Sequence, residues 1–257
     1  MESALNAWYE IGRYLAIGIA GLSLGIVLLY FVKLGSLKEK KQKYDYINRF
    51  EIDRLWFAAL TLIIAGIVFV NTLFPEADPL WVFVRLFTSV MFGIIFGVIA
   101  QNVLRFYYPF QVEKRLKNLR YSARINPANG NVMKLLSEEE EDVHLDEGMQ
   151  AEENLFSVDY DVWIDEATGF TKIEKYNGHL HAEQCPDCNY QTFKVKREEL
   201  LTSPTADTEG ELAKFYSCAY CGHKSKRTVR VAPLQEEASV AFSIASRAAE
   251  AKTLANA

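Results

Sequence analysis

The sequence predicts a two-part chain: a membrane α-helical part with three transmembrane helices, then a small β-rich domain built as tandem ribbons. Three observations carry that prediction. Residues 1–104 are dominated by apolar runs, whereas 105–257 are polar, charged and broken by turns. Three of those runs reach the ~20 residues that a bilayer crossing requires. All four cysteines fall in two C-x2-C pairs, Cys185/Cys188 and Cys218/Cys221, with 29 residues between the pairs. The net charge of −5 averages two unlike halves and points to no partner.

The predicted spans are 11–32, 55–74 and 80–104. The first lacks a basic leader and a small-residue cleavage site, so it reads as a membrane helix rather than a signal peptide. Orientation follows from Lys and Arg in the short flanks. None precedes the first span, and Arg13 sits just inside it. Seven lie in the 33–54 loop: Lys33, Lys38, Lys40, Lys41, Lys43, Arg49 and Arg54. The 75–79 turn has none, and Arg105, Lys114, Arg115, Lys117, Arg120 and Arg124 follow the third span. The N-terminus is therefore expected outside, with the first loop and the whole polar half in the cytoplasm.

Gly21-x3-Gly25 and Gly93-x3-Gly97 sit near the middle of the first and third spans. Small residues at that spacing let helix backbones approach, within one chain or between copies in a homo-oligomer. Arg85 is the deepest charge, but it is five residues into its helix and able to snorkel outward. No group of polar residues converges at the midplane, which speaks against a conduction pathway.

Residues 105–125 predict a basic juxtamembrane helix. Val112, Leu116 and Leu119 form its apolar stripe, and Pro109 is expected to bend the chain away from the third span. The 137–153 stretch holds nine acidic residues and no Lys or Arg. It predicts an acidic helical insert with a solvated face, able to dock on a basic part of the same protein. From Phe156, alternation through Val158, Tyr160, Val162 and Ile164 predicts a strand, and the break at 165–169 followed by FTKIEKY makes it a hairpin.

The cysteine pairs are the strongest signal. Each C-x2-C folds into a tight knuckle, and two facing knuckles give a tetrahedral cage of four sulfurs suited to one structural Zn2+. Pairing as two disulfides fits poorly with a cytoplasmic location. Asn126-Pro-Ala-Asn129-Gly130 echoes Cys185-Pro-Asp-Cys188, and Asp165-Glu-Ala-Thr168-Gly169 echoes Cys218-Ala-Tyr-Cys221-Gly222. The domain thus reads as a degenerate, metal-free ribbon at 126–178, a four-cysteine zinc ribbon at 179–234, and an Ala-rich tail at 235–257.

The run EEEEDVHLDEGMQAEENLFSVDYDVW (138–163), CPDC, YQTFKVK, Gly210, CAYCGH and Pro233 resembles the cytoplasmic region of bacterial TPM-domain membrane proteins over about residues 124–234. The resemblance implies paired zinc ribbons at the cytoplasmic face of the bacterial inner membrane. Only 1–10 and 75–79 would face outside, so the extracytoplasmic TPM domain is absent, and activity attached to it does not carry over.

Two other chemistries fit less well. A basic stripe with Lys194, Lys196, Lys224, Lys226 and Arg230 suggests nucleic acid, but interleaved Glu and Asp and the missing aromatic platform speak against it. A rubredoxin-like electron carrier fits four cysteines but not the charged, tryptophan-poor surroundings. His144, His179, His181 and His223 are expected on the surface or behind the ligands. The expectation is a non-catalytic anchor or adaptor for a protein partner. An electron carrier and a small transporter component are the alternatives.

Overall fold

The computed structural model describes residues 2–73 and 78–234. The sequence-predicted turn at 75–79 lies mostly, and the Ala-rich tail at 235–257 wholly, outside them. The chain divides into two compact units, Met1–Ser122 and Ala123–Ala257.

The first unit is helical: α1 (Glu2–Ser36), α2 (Lys40–Val70), α3 (Pro79–Asn102) and α4 (Tyr108–Tyr121). Three helices are long and apolar enough to cross a membrane. The predicted basic loop at 33–54 is mostly helix, because α1 and α2 extend until only 37–39 remain between them. Pro109 does not break the chain. A π-helical turn, Val103–Tyr107, leads straight into α4, and the Tyr108 amide donates to the Val103 carbonyl. A widened turn absorbs the hydrogen bond that proline cannot make.

The apolar stripe of α4 is spent on protein rather than lipid. Val112 and Leu116 are buried against Ile47 of α2, with Leu34, Tyr44, Tyr108 and Leu119 around them. Glu51, a buried carboxylate in α2, fastens this junction. It accepts from Tyr30 of α1, from Tyr108 at 2.5 Å and from Arg115 at 2.6 Å.

The glycine pairs behave differently from one another. A Cβ on Gly93 would overlap Ile67 Cδ1, so this glycine admits α2 against α3. Gly21, Gly25 and Gly97 have no atom within 4 Å of that position. Beside Gly93, Ser89 accepts from Asn71 at 2.8 Å. Arg85 reaches the Tyr9 hydroxyl at 3.5 Å and lies over its ring.

The second unit opens with β1 (Arg124–Ile125) and β2 (Val132–Leu135). Helices α5 (Glu138–Glu141) and α6 (Glu147–Asn154) follow, and then the hairpin β3 (Val158–Asp165) and β4 (Phe170–Asn177). Their antiparallel sheet runs β1-β2-β3-β4. The alternation in β3 predicts one buried face, yet both are covered. Val158, Tyr160 and Val162 pack with Leu145, Leu136 and Met149 under the acidic helices. On the other side Arg124 forms a buried ion pair with Glu174 at 2.7 Å and lies 4.7 Å over the Trp163 ring. Burial works against the Glu174 carboxylate, but Arg124 and Tyr176 outweigh it and hold the group below its usual range. A second antiparallel sheet, β5-β6-β7, comprises β5 (Phe193–Thr202), β6 (Gly210–Cys218) and β7 (Lys224–Val231).

The acidic stretch is not simply a solvated face. Glu152 is fully buried. It accepts from Tyr160, from Lys175 at 3.1 Å and from the Gln191 amide. It thereby ties α6 to both halves of the unit. Tyr190 donates to Asp146 at 3.0 Å and covers Gly148, where a Cβ would overlap the ring.

Glu141 is also buried, and burial pushes its carboxyl up to about 7 against a single Val162 amide donor. A carboxyl whose folded value is raised contributes stability below its unfolded pKa and loses it as pH rises through the folded one. Glu141→Gln is therefore expected to raise the melting temperature near pH 8 and to change it little near pH 4. Thermal melts at the two pH values check this.

Candidate metal centre

Two knuckles build the site. The first, at 185–188, precedes β5, and the second, at 218–221, joins β6 to β7. In the first, the Cys185 amide donates to the Tyr190 carbonyl and the Asn189 amide to the Cys185 carbonyl, each at 2.9 Å. The chain turns back through Asn189 at φ 64° and, after the second knuckle, through Gly222 at φ 76°. That left-handed backbone suits Gly and Asn.

The four sulfurs converge, all lying within 4.8 Å of one another. Cys185 and Cys221 are 3.6 Å apart, and Cys188 and Cys218 are 3.7 Å apart. A tetrahedron with ~2.3 Å metal–sulfur bonds has edges of about 3.8 Å. A disulfide needs ~2.05 Å, and all four thiols are free. The donor set and its spacing therefore fit a metal ion held by Cys185, Cys188, Cys218 and Cys221.

Electrostatics point the same way. Burial opposes ionisation of Cys218, but the Thr192 hydroxyl at 3.0 Å and the Cys221 amide at 3.3 Å bring its thiol down to about 6. Cys221 is stabilised by the His223 amide, yet desolvation and the neighbouring sulfurs push it up to about 12. The cluster thus accepts one negative charge readily and resists the next. A divalent cation removes that resistance, since four thiolates are its ligands.

The supports are local. His223 sits 2.6 Å from Asp187, joining one knuckle to the other. Phe193 is buried beside Cys185 and Cys218 and stacks on Tyr216. His144, His179 and His181 are exposed.

The first half of the unit repeats this frame without sulfur. The Asn126 amide donates to the Asn131 carbonyl at 2.8 Å, and the Gly130 amide to the Asn126 carbonyl at 2.9 Å. Gly130 and Gly169 take φ 77° and 73°. Arg124 pairs with Met133 as Glu183 bridges Phe193, two residues before each first knuckle. At the four ligand-equivalent positions a carboxylate stands in the middle. Asp165 accepts from Asn126 at 2.7 Å, Asn129 at 2.8 Å and Thr168 at 2.7 Å. Asn129, Thr168 and Asn126 hold its carboxyl well below the usual range. The internal repeat locates these four residues in the sequence but not their joint role, since Asn and Thr look like mere losses when judged as metal ligands.

No protein-family model, curated protein or solved structure matches the chain. The site and fold therefore define it by themselves: three long apolar helices joined to a β-rich unit with a four-thiol cluster able to hold a metal ion.

Cys185→Ser is expected to weaken metal binding by roughly a hundredfold or more. Competition against a coloured chelator, with Co2+ as an optical probe, measures it. For the sulfur-free knuckles, Asp165's depressed pKa means a stability contribution present above its unfolded value of ~3.9 and lost as pH falls below it. Asp165→Asn should flatten that acid dependence, read from Trp163 fluorescence against pH.

Proposed function

We propose that the chain is a non-catalytic membrane anchor that presents a structural zinc-ribbon domain for docking a protein partner. In this reading α1, α2 and α3 cross the bilayer, with the N-terminus outside and the ribbon unit in the cytoplasm. A single Zn2+ is held by Cys185, Cys188, Cys218 and Cys221, and the sulfur-free repeat is its degenerate twin. The observation that carries the reading is the convergence of four sulfurs within 4.8 Å, two pairs of them at 3.6 and 3.7 Å, in a unit attached to three apolar helices. Positive flanks at 33–54 and 105–124 support the orientation. The likeness to the cytoplasmic ribbons of TPM-domain membrane proteins supports the same arrangement.

Zinc here supplies folding energy. The hydrophobic cluster of the second sheet is Cys185, Phe193 and Cys218; beyond it the small Gly210 and Ala213 are buried, and nine of the ten β5 residues are exposed. So small a core needs a staple. The closed set of four sulfurs leaves no free coordination position for chemistry.

Metal analysis of the purified chain should find one zinc per molecule, and chelation should unfold the second sheet. Iron with reversible reduction would instead make the chain an electron carrier. In intact cells, an impermeant thiol reagent should leave the four cysteines unlabelled until the membrane is opened. In-cell crosslinking through the ribbon unit should then trap a protein partner.

A further inference from the structure

A groove of about 700 Å3 crosses one face of the second sheet. It is lined by Lys196 and Arg197 of β5, Phe215 and Ser217 of β6, and Lys224 and Lys226 of β7. The register places Phe215 between Arg197 and Lys226, and Ser217 between Lys194 and Lys224. Alternate residues of a regular strand share a face and stand ~7 Å apart, which puts Lys224 and Lys226 in one row on β7. On β5 an irregularity at Lys196 breaks the alternation and brings Arg197 opposite Phe215, on the same side as Lys194. Among the described residues, Arg197 has Glu199 at 3.3 Å. Lys194, Lys196, Lys224 and Lys226 have no carboxylate within salt-bridging distance there. All four are exposed.

The floor distinguishes one kind of anion from another. Arg197 lies 4.4 Å from the Phe215 ring centre and Lys226 5.5 Å from it. The ring braces these cations and is not a free stacking platform for bases. Carboxylates with an apolar side chain among them suit it better.

We propose that this groove receives the acidic segment 138–156 of a second copy of the chain. That segment carries exposed Glu138, Glu139 and Asp142, and the stretch 137–153 holds no Lys or Arg. Val143 and Phe156 project from it, 84% and 64% exposed, as apolar side chains that can pack on the aliphatic stems of the groove's lysines. Every copy carries both the groove and its occupant, so two copies can exchange segments reciprocally or a head-to-tail series can form. Membrane anchoring, which rests on the reading above, would give all copies one orientation and raise their effective concentration. The contact itself does not depend on it.

Charge reversal on each side tests the proposal on the full chain in detergent micelles. Sedimentation of the unaltered protein should show concentration-dependent oligomers at about 50 mM salt that dissociate near 500 mM. Lys224→Glu/Lys226→Glu and Glu138→Lys/Glu139→Lys should each weaken association by at least about tenfold. Mixing the two variants should restore a complex, because the intact acidic segment of the first meets the intact groove of the second. Lys224→Ala/Lys226→Ala, which only removes charge, should also weaken association. Unchanged metal content and circular dichroism show that the variants fold. A monomeric parent at low salt would overturn the proposal. So would association that survives salt and both reversals, or a mixture that stays apart. Binding of single-stranded nucleic acid or anionic vesicles in the groove while copies remain separate would overturn it as well.

Discussion

Four sulfurs within 4.8 Å impose the constraint around which the second sheet is arranged. Two like unit charges ~4 Å apart repel by roughly 4 kcal/mol at an effective dielectric near 20, and a cluster of four holds several such pairs. The fold cannot hold four thiolates there without a cation. Its own donors favour one: against burial, the Thr192 hydroxyl and the Cys221 amide lower the Cys218 thiol, while against the His223 amide, desolvation and the neighbouring sulfurs raise Cys221. The sulfur-free half solves the same geometry with one charge instead of many. Asp165 occupies one ligand position and draws Asn126, Asn129 and Thr168 around it as neutral donors. One frame is therefore able to close in two ways, around a metal ion that its thiols could hold or around an anion.

A second device recurs in both units. A buried carboxylate is clasped by one or two tyrosine hydroxyls and by basic side chains, two of them (Arg124 and Lys172) at Glu174. Glu51 takes Tyr30, Tyr108 and Arg115. Glu152 takes Tyr160 and Lys175, and Glu174 takes Tyr176 and Arg124. Each joins segments distant in sequence, and each is expensive to break from one side, because the remaining partner is left desolvated. These are points of specificity more than of net stability: a hydrophobic replacement could match their energy, but would not dictate which tyrosine meets which base.

Much of this architecture is legible in the sequence where the signal is periodic or paired. Length and hydropathy suffice for the three helices, and cysteine spacing suffices for the thiol cluster. The knuckle frame, through Gly130, Gly169 and Gly222, reveals the internal repeat. What is not legible has a common cause. Glu51, Glu141 and Glu152 carry the most water-seeking label available, so a residue scale assigns them to the surface. Their burial depends on partners up to 64 residues away. Pro109 misleads similarly, because the rule for an α-helix does not anticipate a π-helical turn. The apolar stripe of α4 predicts a buried face but cannot say whether lipid or protein covers it.

The two halves of the β-rich unit also explain each other. The first sheet has Val158, Tyr160 and Val162 covered by helices from the acidic insert, and Trp163 and Tyr176 on its opposite side. The second has no such insert; its hydrophobic cluster lies at the knuckles, with only the small Gly210 and Ala213 buried farther along β6 among the described residues. A sheet with a covering layer can lose metal ligands and still bury enough to hold its shape, provided that hydrogen bonds fill the vacated corner. A bare sheet cannot, since few apolar contacts remain once the knuckles separate. The cysteines thus stand in the half with the smaller core, and Asn126, Asn129, Asp165 and Thr168 in the half with the larger one. The acidic insert, which looks from composition like a solvated spacer, is the layer that makes the difference.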